Sequence, residues 1–267
     1  SPAGINCGSA CRTRFAADAV VTLTAVPGEF SDFTGWSGDA DCSDGVVSLA
    51  TATECTATFD GSCGASNEDC DDGLPCTQDS CPADDHCENA EAPRAAAACF
   101  ESPRTKLKII DVANDTHDRL AWQWRKGGTF SQADLGNPLI STVYTLCMYD
   151  TTVGVSRLAT SLTLPAGGSD WLNRSPKGWN WNDRHAFYHG LRRLQLKTGE
   201  AGRSMVKLSA SYAGIPLPGP FSGGEYFDAD SAVVVQLLAG EEKCWTSSFA
   251  PTGITKNSAT AFSASGN

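Results

Sequence analysis

Four aspartates in the first third of the chain are of a type and spacing that would suit a hard cation: Asp69, Asp71, Asp72 and Asp79. Calcium binds several oxygen ligands, which carboxylates supply. The loop nearly fits an EF-hand template that begins at Asn67, but Asp72 stands where that template requires glycine and Gln78 where it requires a bidentate acid. We therefore predict no cofactor. The four aspartates are weak calcium candidates, and a solvated acidic face is the favoured interpretation.

The twelve cysteines predict disulfide chemistry. An even and high count in 267 residues is typical of a chain that folds in an oxidising compartment with up to six bridges. Zinc is disfavoured because no Cys-x2-Cys pair occurs and because oxidation competes for the thiolates. We expect disulfides at all twelve cysteines: Cys7, Cys11, Cys42, Cys55, Cys63, Cys70, Cys76, Cys81, Cys87, Cys99, Cys147 and Cys244.

Histidines and serines form no recognisable catalytic pattern. His185 and His189 are four residues apart, a metal-binding spacing only on a helix, and their segment is short and polar. His117 stands alone. Gly35-Trp36-Ser37-Gly38 does not satisfy the Gly-x-Ser-x-Gly motif of serine hydrolases. We predict structural or surface histidines and a protein that is not an enzyme; a secreted hydrolase has no support in the sequence.

Four tryptophans are the candidate ligand-binding residues: Trp122, Trp124, Trp179 and Trp181. Each pair has the i, i+2 spacing that places both rings on one face of a strand. Such a face would stack sugar rings or polymer chains, whereas packing in a core or interface is the commoner role of paired aromatics. Exposure of these rings in a groove would favour a glycan site, and burial of all four would remove it.

The segments that contain these residues have the sequence pattern of β-strands. Val20–Val26 alternates, and residues 105–267 hold about ten short β segments separated by Gly, Pro, Asn and Asp turns. We predict an all-β fold in three parts: a module at residues 1–60, a cysteine-rich acidic connector at 61–104, and a β-sandwich or barrel-like domain at 105–267.

The only cysteines of the predicted C-terminal domain lie on two apolar strands. Cys147 is flanked by Leu146 and Met148, and Cys244 precedes Trp245. We expect these two cysteines to bridge each other, with a pair of buried free thiols as the alternative. The six cysteines of the connector allow 15 pairings, so none is chosen there.

Residues 1–60 resemble the divergent internalin-type B-repeats of bacterial surface proteins. The resemblance is carried by Ser1–Cys11, Val21–Ala25, Phe33–Gly38 and Cys55–Phe59. It implies a small β-grasp-like module with Cys7–Cys11 and Cys42–Cys55 bridges. Such repeats begin with a strand before the Ser-Pro-Ala-Gly turn. Its absence would leave an open edge that another chain could fill by strand addition, but a proteolytic cut or a boundary is the favoured interpretation.

The rest of the chain shows two further resemblances. Residues 70–87 resemble Cys-Asp-Asp-Gly-type repeats of secreted bacterial and slime-mould proteins, which implies a disulfide-bonded extracellular linker. Residues 105–267 resemble an uncharacterised β-domain of secreted myxobacterial and deltaproteobacterial proteins, through Asn114–Trp124, Lys177–Asp183 and Cys244-Trp245. No activity is implied.

Charge is divided unevenly along the chain. Residues 1–100 hold 17 acids and three bases, a net charge of -14, and the remainder carries +3. An acidic part disfavours nucleic acid, and the +3 looks too small and too scattered to favour it. No apolar run approaches the roughly 20 residues that span a bilayer, so no membrane insertion is predicted.

These observations predict a non-enzymatic, extracellular or cell-surface protein, bacterial in origin. Its predicted role is structural: a surface-associated or fibre-forming subunit held by disulfides and β contacts, which associates with itself or with other surface proteins. The alternative is a carbohydrate- or polymer-binding accessory module that uses the tryptophans for a glycan partner.

Overall fold

The computed structural model describes residues 19–27, 31–49, 53–61, 70–82, 87–212, 214–217, 224–240 and 243–266. The chain divides into two units, each of which packs mainly against itself. The N-terminal unit takes Ser1–Asp72 and Asp79–Asn89, and the C-terminal unit takes Gly73–Gln78 and Ala90–Asn267. Each is described by itself below. The segment predicted as a connector is thus shared between the two units.

The described residues form antiparallel sheets, so the all-β prediction is confirmed. Their helical segments are 3-10 turns of three residues at Ala40–Cys42, Ala96–Ala98, Asp115–His117 and Pro251–Gly253. None of them has the length or hydropathy to span a membrane. The strands are β1 Val20–Thr22, β2 Ser31–Gly38, β3 Val46–Ser48, β4 Cys55–Gly61, β5 Gln78–Ser80, β6 Glu88–Ala90, β7 Arg104–Ile110, β8 Arg119–Gly127, β9 Tyr144–Thr152, β10 Val155–Leu164, β11 Trp171–Asn173, β12 Gly178–Asn182, β13 Leu191–Lys197, β14 Ser204–Ser211, β15 Ala232–Ala239, β16 Lys243–Phe249, β17 Ile254–Ser258 and β18 Ala261–Gly266.

The N-terminal unit relies on small sheets and cross-links. Strand β1 pairs with β3, and β2 pairs with β4. Phe33 contacts Trp36 and Phe59 at ring separations of 5.3 and 5.7 Å, yet Phe59 is 40% exposed. The predicted Cys42–Cys55 bridge is present, with a Cα separation of 5.5 Å. Since so small a core excludes little water, the covalent bond is needed to hold the strands together.

The C-terminal unit is a sandwich of two open sheets. One has four strands in the order β10-β9-β15-β16, and the other has eight in the order β11-β12-β13-β14-β8-β7-β18-β17. Strict alternation sends every second side chain inward, as in β7, where Leu107 and Ile109 are buried while Lys106 and Lys108 are exposed. The predicted sandwich is therefore confirmed, and its barrel-like alternative is not seen.

Close packing in the sandwich core depends on one glycine. Trp124 fills the space beside Gly127, where an added Cβ would lie 1.7 Å from the indole ring. Lys126, between them, adopts a left-handed conformation with φ 59° at an irregularity of the β8–β14 pairing. A side chain at position 127 would displace the buried Trp124 from the core.

A strap, defined as residues 73–78 and 90–100, covers the outer face of the four-stranded sheet. Cys76 bridges to Cys147 on β9, and Cys99 bridges to Cys244 on β16. Phe100 adds a parallel backbone bridge to Trp245 at the edge of β16. Beneath the strap lies a second apolar cluster, which the cysteines share with Tyr149, Leu238, Leu158 and Val234.

The predicted Cys147–Cys244 bridge is therefore wrong. Cys147 pairs across the sheet with Gln236 of β15, and Cys244 pairs with Leu238 of that same strand. With β15 between them, the two cysteines are at least two strand spacings apart, about 9.6 Å. A disulfide requires a Cα separation below about 7 Å. Both cysteines face outward, so their partners come from the strap.

Candidate functional site

The two sheets of the sandwich present different outer faces. On the four-stranded sheet, a group of outward apolar side chains lies under the strap; it includes Cys147, Tyr149, Leu158, Val234 and Leu238. Outward side chains of the eight-stranded sheet include a group of cations on four adjacent strands. We call this group the basic face; its members are Arg104, Lys106, Lys108, Arg119, Arg125, Arg193, Lys197 and Lys207.

Strand register arranges these cations in rows across the sheet. One row runs in the order Lys106, Gln123, Lys207, Gln195, Asn180 over strands β7, β8, β14, β13 and β12. Lys106 and Lys207 in this row are two strand spacings apart, about 9.6 Å, and neighbouring rows are about 6.8 Å apart along the strands. Side chains that are far apart in the sequence thus form one regular array.

The array contains no acid. None of the eight strands of this sheet contains Asp or Glu, whereas together they hold 11 of the chain's 20 Lys and Arg residues. None of the eight cations pairs with an acid in the described part of the chain; Lys243, which pairs with Asp134 at 3.8 Å, belongs to the other sheet. The basic face therefore concentrates positive charge on one surface of a protein of net charge -11.

One pair of cations on the basic face carries an electrostatic cost. Arg104 on β7 lies directly opposite Arg125 on β8. Like charges at directly opposed positions destabilise a sheet. Elsewhere on the face, Arg193 donates from Nε to the Asn182 Oδ1 at 3.1 Å, a neutral partner that leaves its charge unbalanced.

A buried amide fixes the strap on the covered face. Gln236 on β15 is 1% exposed. Its Oε1 accepts from the Arg94 backbone N–H at 2.9 Å, and its Nε2 donates to the Arg94 carbonyl at 2.8 Å and to Thr246 Oγ1 at 3.2 Å. Tyr149 also donates from its hydroxyl to the Cys76 carbonyl at 2.8 Å. These bonds hold the backbone of the strap against the sheet, much as ladder hydrogen bonds hold the backbone of a neighbouring strand.

The four predicted ligand-binding tryptophans are all buried. Trp122 and Trp124 are fully inaccessible, and Trp179 and Trp181 are 4% and 2% exposed. Trp122 donates to Ser247 Oγ at 3.0 Å, and Trp124 donates to the Thr246 carbonyl at 3.1 Å, so both rings cross the interior between the sheets. Core packing, the commoner role of such pairs, is therefore the role of these four rings, and the alternative of a glycan platform is excluded because their faces contact protein.

The aspartates predicted for calcium are only partly assembled. Ligand atoms of Asp71, Asp72 and Asp79 lie within 4.8 Å of one another, beside the Cys70–Cys87 bridge, while Asp69 is outside the described residues. Asp71 and Asp72 are exposed. Exposed acids of this kind are also typical of a solvated surface, so calcium stays a prediction.

Asp183 holds the loop that contains His185. Asp183 accepts the backbone N–H of His185 and of Phe187, both at 2.6 Å, and pins their loop. Burial acts to raise the pKa of Asp183, but these N–H donors outweigh it and hold that pKa below its ordinary value. Among the described residues, no histidine belongs to a cluster of metal-ligating side chains.

A groove of about 630 Å³ opens beside the strap. Its described lining includes Arg94, Glu101, Gln236, Thr246 and Ser247. Neither a histidine nor a cysteine lines it, and Gln236 is already committed to the strap.

The cysteines that the structure describes are in bridges. Besides Cys42–Cys55, they form Cys70–Cys87, Cys76–Cys147 and Cys99–Cys244, and Cys81 is also disulfide-bonded. Cys7, Cys11 and Cys63 lie outside the described residues, so the Cys7–Cys11 bridge stays a prediction.

Sequence reasoning missed the basic face. The signal was present, because the charged residues of segments 104–110, 119–127, 191–197 and 204–211 are all cationic. Only strand pairing reveals that these segments are neighbours with a common outward direction.

No protein-family model, curated protein or solved structure matches the chain. The three resemblances noted in the sequence therefore stay predictions, and function has to be argued from the molecule's own geometry.

Proposed function

We propose that this chain is a non-enzymatic extracellular structural protein, a surface-associated or fibre-forming subunit that resists mechanical tension. Its bridges are of the kind that persists in an oxidising environment, which supports an extracellular location. The observation that carries the proposal is the Cys99–Cys244 bridge, which closes a loop of 145 residues. The resemblance of residues 1–60 to surface-protein repeats points in the same direction.

The Cys99–Cys244 loop changes how force passes through the C-terminal unit. Strands β7 to β15 all lie between the two cysteines. A pull on the two ends of the chain is transmitted from Cys99 to Cys244 through a covalent bond, so those strands cannot be peeled apart in sequence. This bridge would hide about 500 Å of extended chain from the pulling force.

The Cys76–Cys147 bridge adds a second covalent path. It joins the strap to β9, an inner strand of the four-stranded sheet, across 71 residues. If the Cys99–Cys244 bridge is lost, the pulling force reaches β9 through Cys76–Cys147, and the residues between Cys76 and Cys147 still carry no force. A protein that is only secreted and soluble gains stability from such bridges, but two overlapping loops that together span most of a sandwich suit a subunit under tension.

Single-molecule pulling on the full chain, held at its two ends, tests the proposal. The variant Cys99→Ser/Cys244→Ser is expected to unravel to a length about 300 Å greater than wild type. In wild type, the Cys70–Cys87 and Cys99–Cys244 bridges leave only the residues from Cys87 to Cys99 under load, whereas in the variant the force passes from Cys70 to Cys76 and from Cys147 to Cys244. The matched control Cys42→Ser/Cys55→Ser opens a loop of 13 residues and is expected to add only about 45 Å. Equal lengths for wild type and the first variant would contradict a covalent bypass.

Self-association is the second part of the proposal. Segments of opposite net charge, -14 over residues 1–100 and +3 over the rest, support head-to-tail contacts between copies or with other surface proteins. Sedimentation of the purified full chain at rising concentration is expected to show larger species, and electron microscopy is expected to show filaments or layers. Dispersed monomers throughout would remove the fibre-forming form.

A further inference from the structure

We propose that the basic face binds a linear acidic polysaccharide. This inference assigns a ligand to a surface that the tension argument does not use, and the two stand or fall separately. It rests on three properties of the eight-stranded sheet: the spacing of its outward cations, the amides between them, and the absence of acids along its strands.

Spacing is the first property. Lys106 and Lys207 lie in one row about 9.6 Å apart, with further cations in rows about 6.8 Å to either side. Arg193 and Lys197 on β13 extend the array across a fourth strand. An extended chain with a negative charge on regularly spaced sugar units would meet several of these cations at once, so weak exposed contacts would add up.

The neutral residues between the cations are the second property. Gln123, Gln195 and Asn180 alternate with the lysines in the central row, and Ser209 and Asn182 flank Arg193 in the next row. Amides and hydroxyls donate and accept, so they pair with sugar hydroxyls while the cations pair with carboxylates. A ligand with both groups on each unit is a polyuronate rather than an acidic peptide.

The missing acids are the third property. Arg104 and Arg125 face each other at a cost that no acid on the surrounding strands offsets. A bound polyanion would relieve that repulsion. A duplex nucleic acid fits less well, because a broad open sheet touches a rigid cylinder along one line of phosphates and reaches no base edge.

The test uses the full chain, polygalacturonate as the probe and dextran as a neutral control. We expect binding to polygalacturonate that weakens as salt is raised, since exposed charges are screened, and none to dextran. The variant Lys106→Gln/Lys207→Gln should bind about tenfold more weakly. Its matched control, Arg157→Gln/Lys243→Gln, removes two cations from the four-stranded sheet and should bind like wild type.

Four outcomes would overturn the inference. They are an equal loss in both variants, equal binding to dextran, tighter binding to a 20-base-pair duplex than to polygalacturonate, and self-association that is lost in Lys106→Gln/Lys207→Gln alone. The last would assign the basic face to the acidic part of a second copy. Thermal melts of all variants check folding, and wild-type melting should rise with polygalacturonate but not with dextran.

Discussion

The two outer faces of the sandwich differ in what lies on them. The four-stranded sheet carries Cys147, Tyr149 and Leu238 outward and is covered by the strap, whereas the eight-stranded sheet carries exposed or half-exposed lysines and arginines. An apolar outer face is stabilised when it is shielded from water, whereas a cationic face is stabilised by contact with water. Cover therefore follows from side-chain chemistry: one sheet uses its outer face for stability, and we propose that the outer face of the other serves for binding.

The strap itself explains why covalent bonds are used. It contains few large apolar side chains, so burial alone would hold it weakly. Two disulfides and the Gln236 hydrogen bonds supply the attachment instead.

Removal of the Cys99–Cys244 bridge should have the largest effect. In the chain-entropy account, opening a loop of 145 residues lowers the free energy of unfolding by about 5 kcal/mol. Urea unfolding of Cys99→Ser/Cys244→Ser, followed by tryptophan fluorescence of the sandwich core, measures this loss. The control Cys42→Ser/Cys55→Ser should leave that fluorescence transition in place, because the pair lies in the N-terminal unit.

The same residue type on the two faces should respond differently to the same change. Gln236→Ala removes two buried hydrogen bonds to the Arg94 backbone and should lower the free energy of unfolding by about 2 kcal/mol. Gln195→Ala on the basic face should change it by less than about 0.5 kcal/mol. Denaturant titrations measure the free energy of unfolding of both variants. Equal losses would contradict the difference between the two outer faces.

Two aspartates should give pH dependences of opposite sign. Burial raises the pKa of Asp150 on β9 above its ordinary 3.8, although the N–H groups of Ala229 and Asp228 partly offset this. The folded state then binds more protons than the unfolded state above pH 3.8, so stability falls as pH rises through that window. The lowered pKa of Asp183, next to β12, gives stability that is present above pH 3.8 and lost on further acidification.

The neutral variants separate these two contributions. Asp150→Asn should flatten the decline in melting temperature above pH 3.8, whereas Asp183→Asn should flatten the loss at lower pH. Thermal melts in a buffer series from acid to neutral measure both. If both variants shift the profile in the same direction, the assigned environments of the two carboxyls are wrong.

Local patterns were sufficient to predict much of the fold. Period-two alternation indicated strands such as β7 and β8, and the cysteine content indicated bridges. Packing of Trp122 and Trp124 in the core was also among the predictions. Such patterns could not predict disulfide pairings that depend on strand order. Cys147 and Cys244 were predicted to be partners, but β15 lies between them in the sheet.

By itself, the sequence determined an all-β, disulfide-bonded protein, because alternation and cysteine content act over a few residues or through composition alone. Local patterns do not specify which cysteines meet, which tryptophans are buried and which cations share a face. Those outcomes depend on the order and register in which β7, β8, β14 and β13 pair, and pairing brings together residues about a hundred positions apart. A charge of +3 that looks scattered along the chain becomes, on one sheet, a basic face without acids.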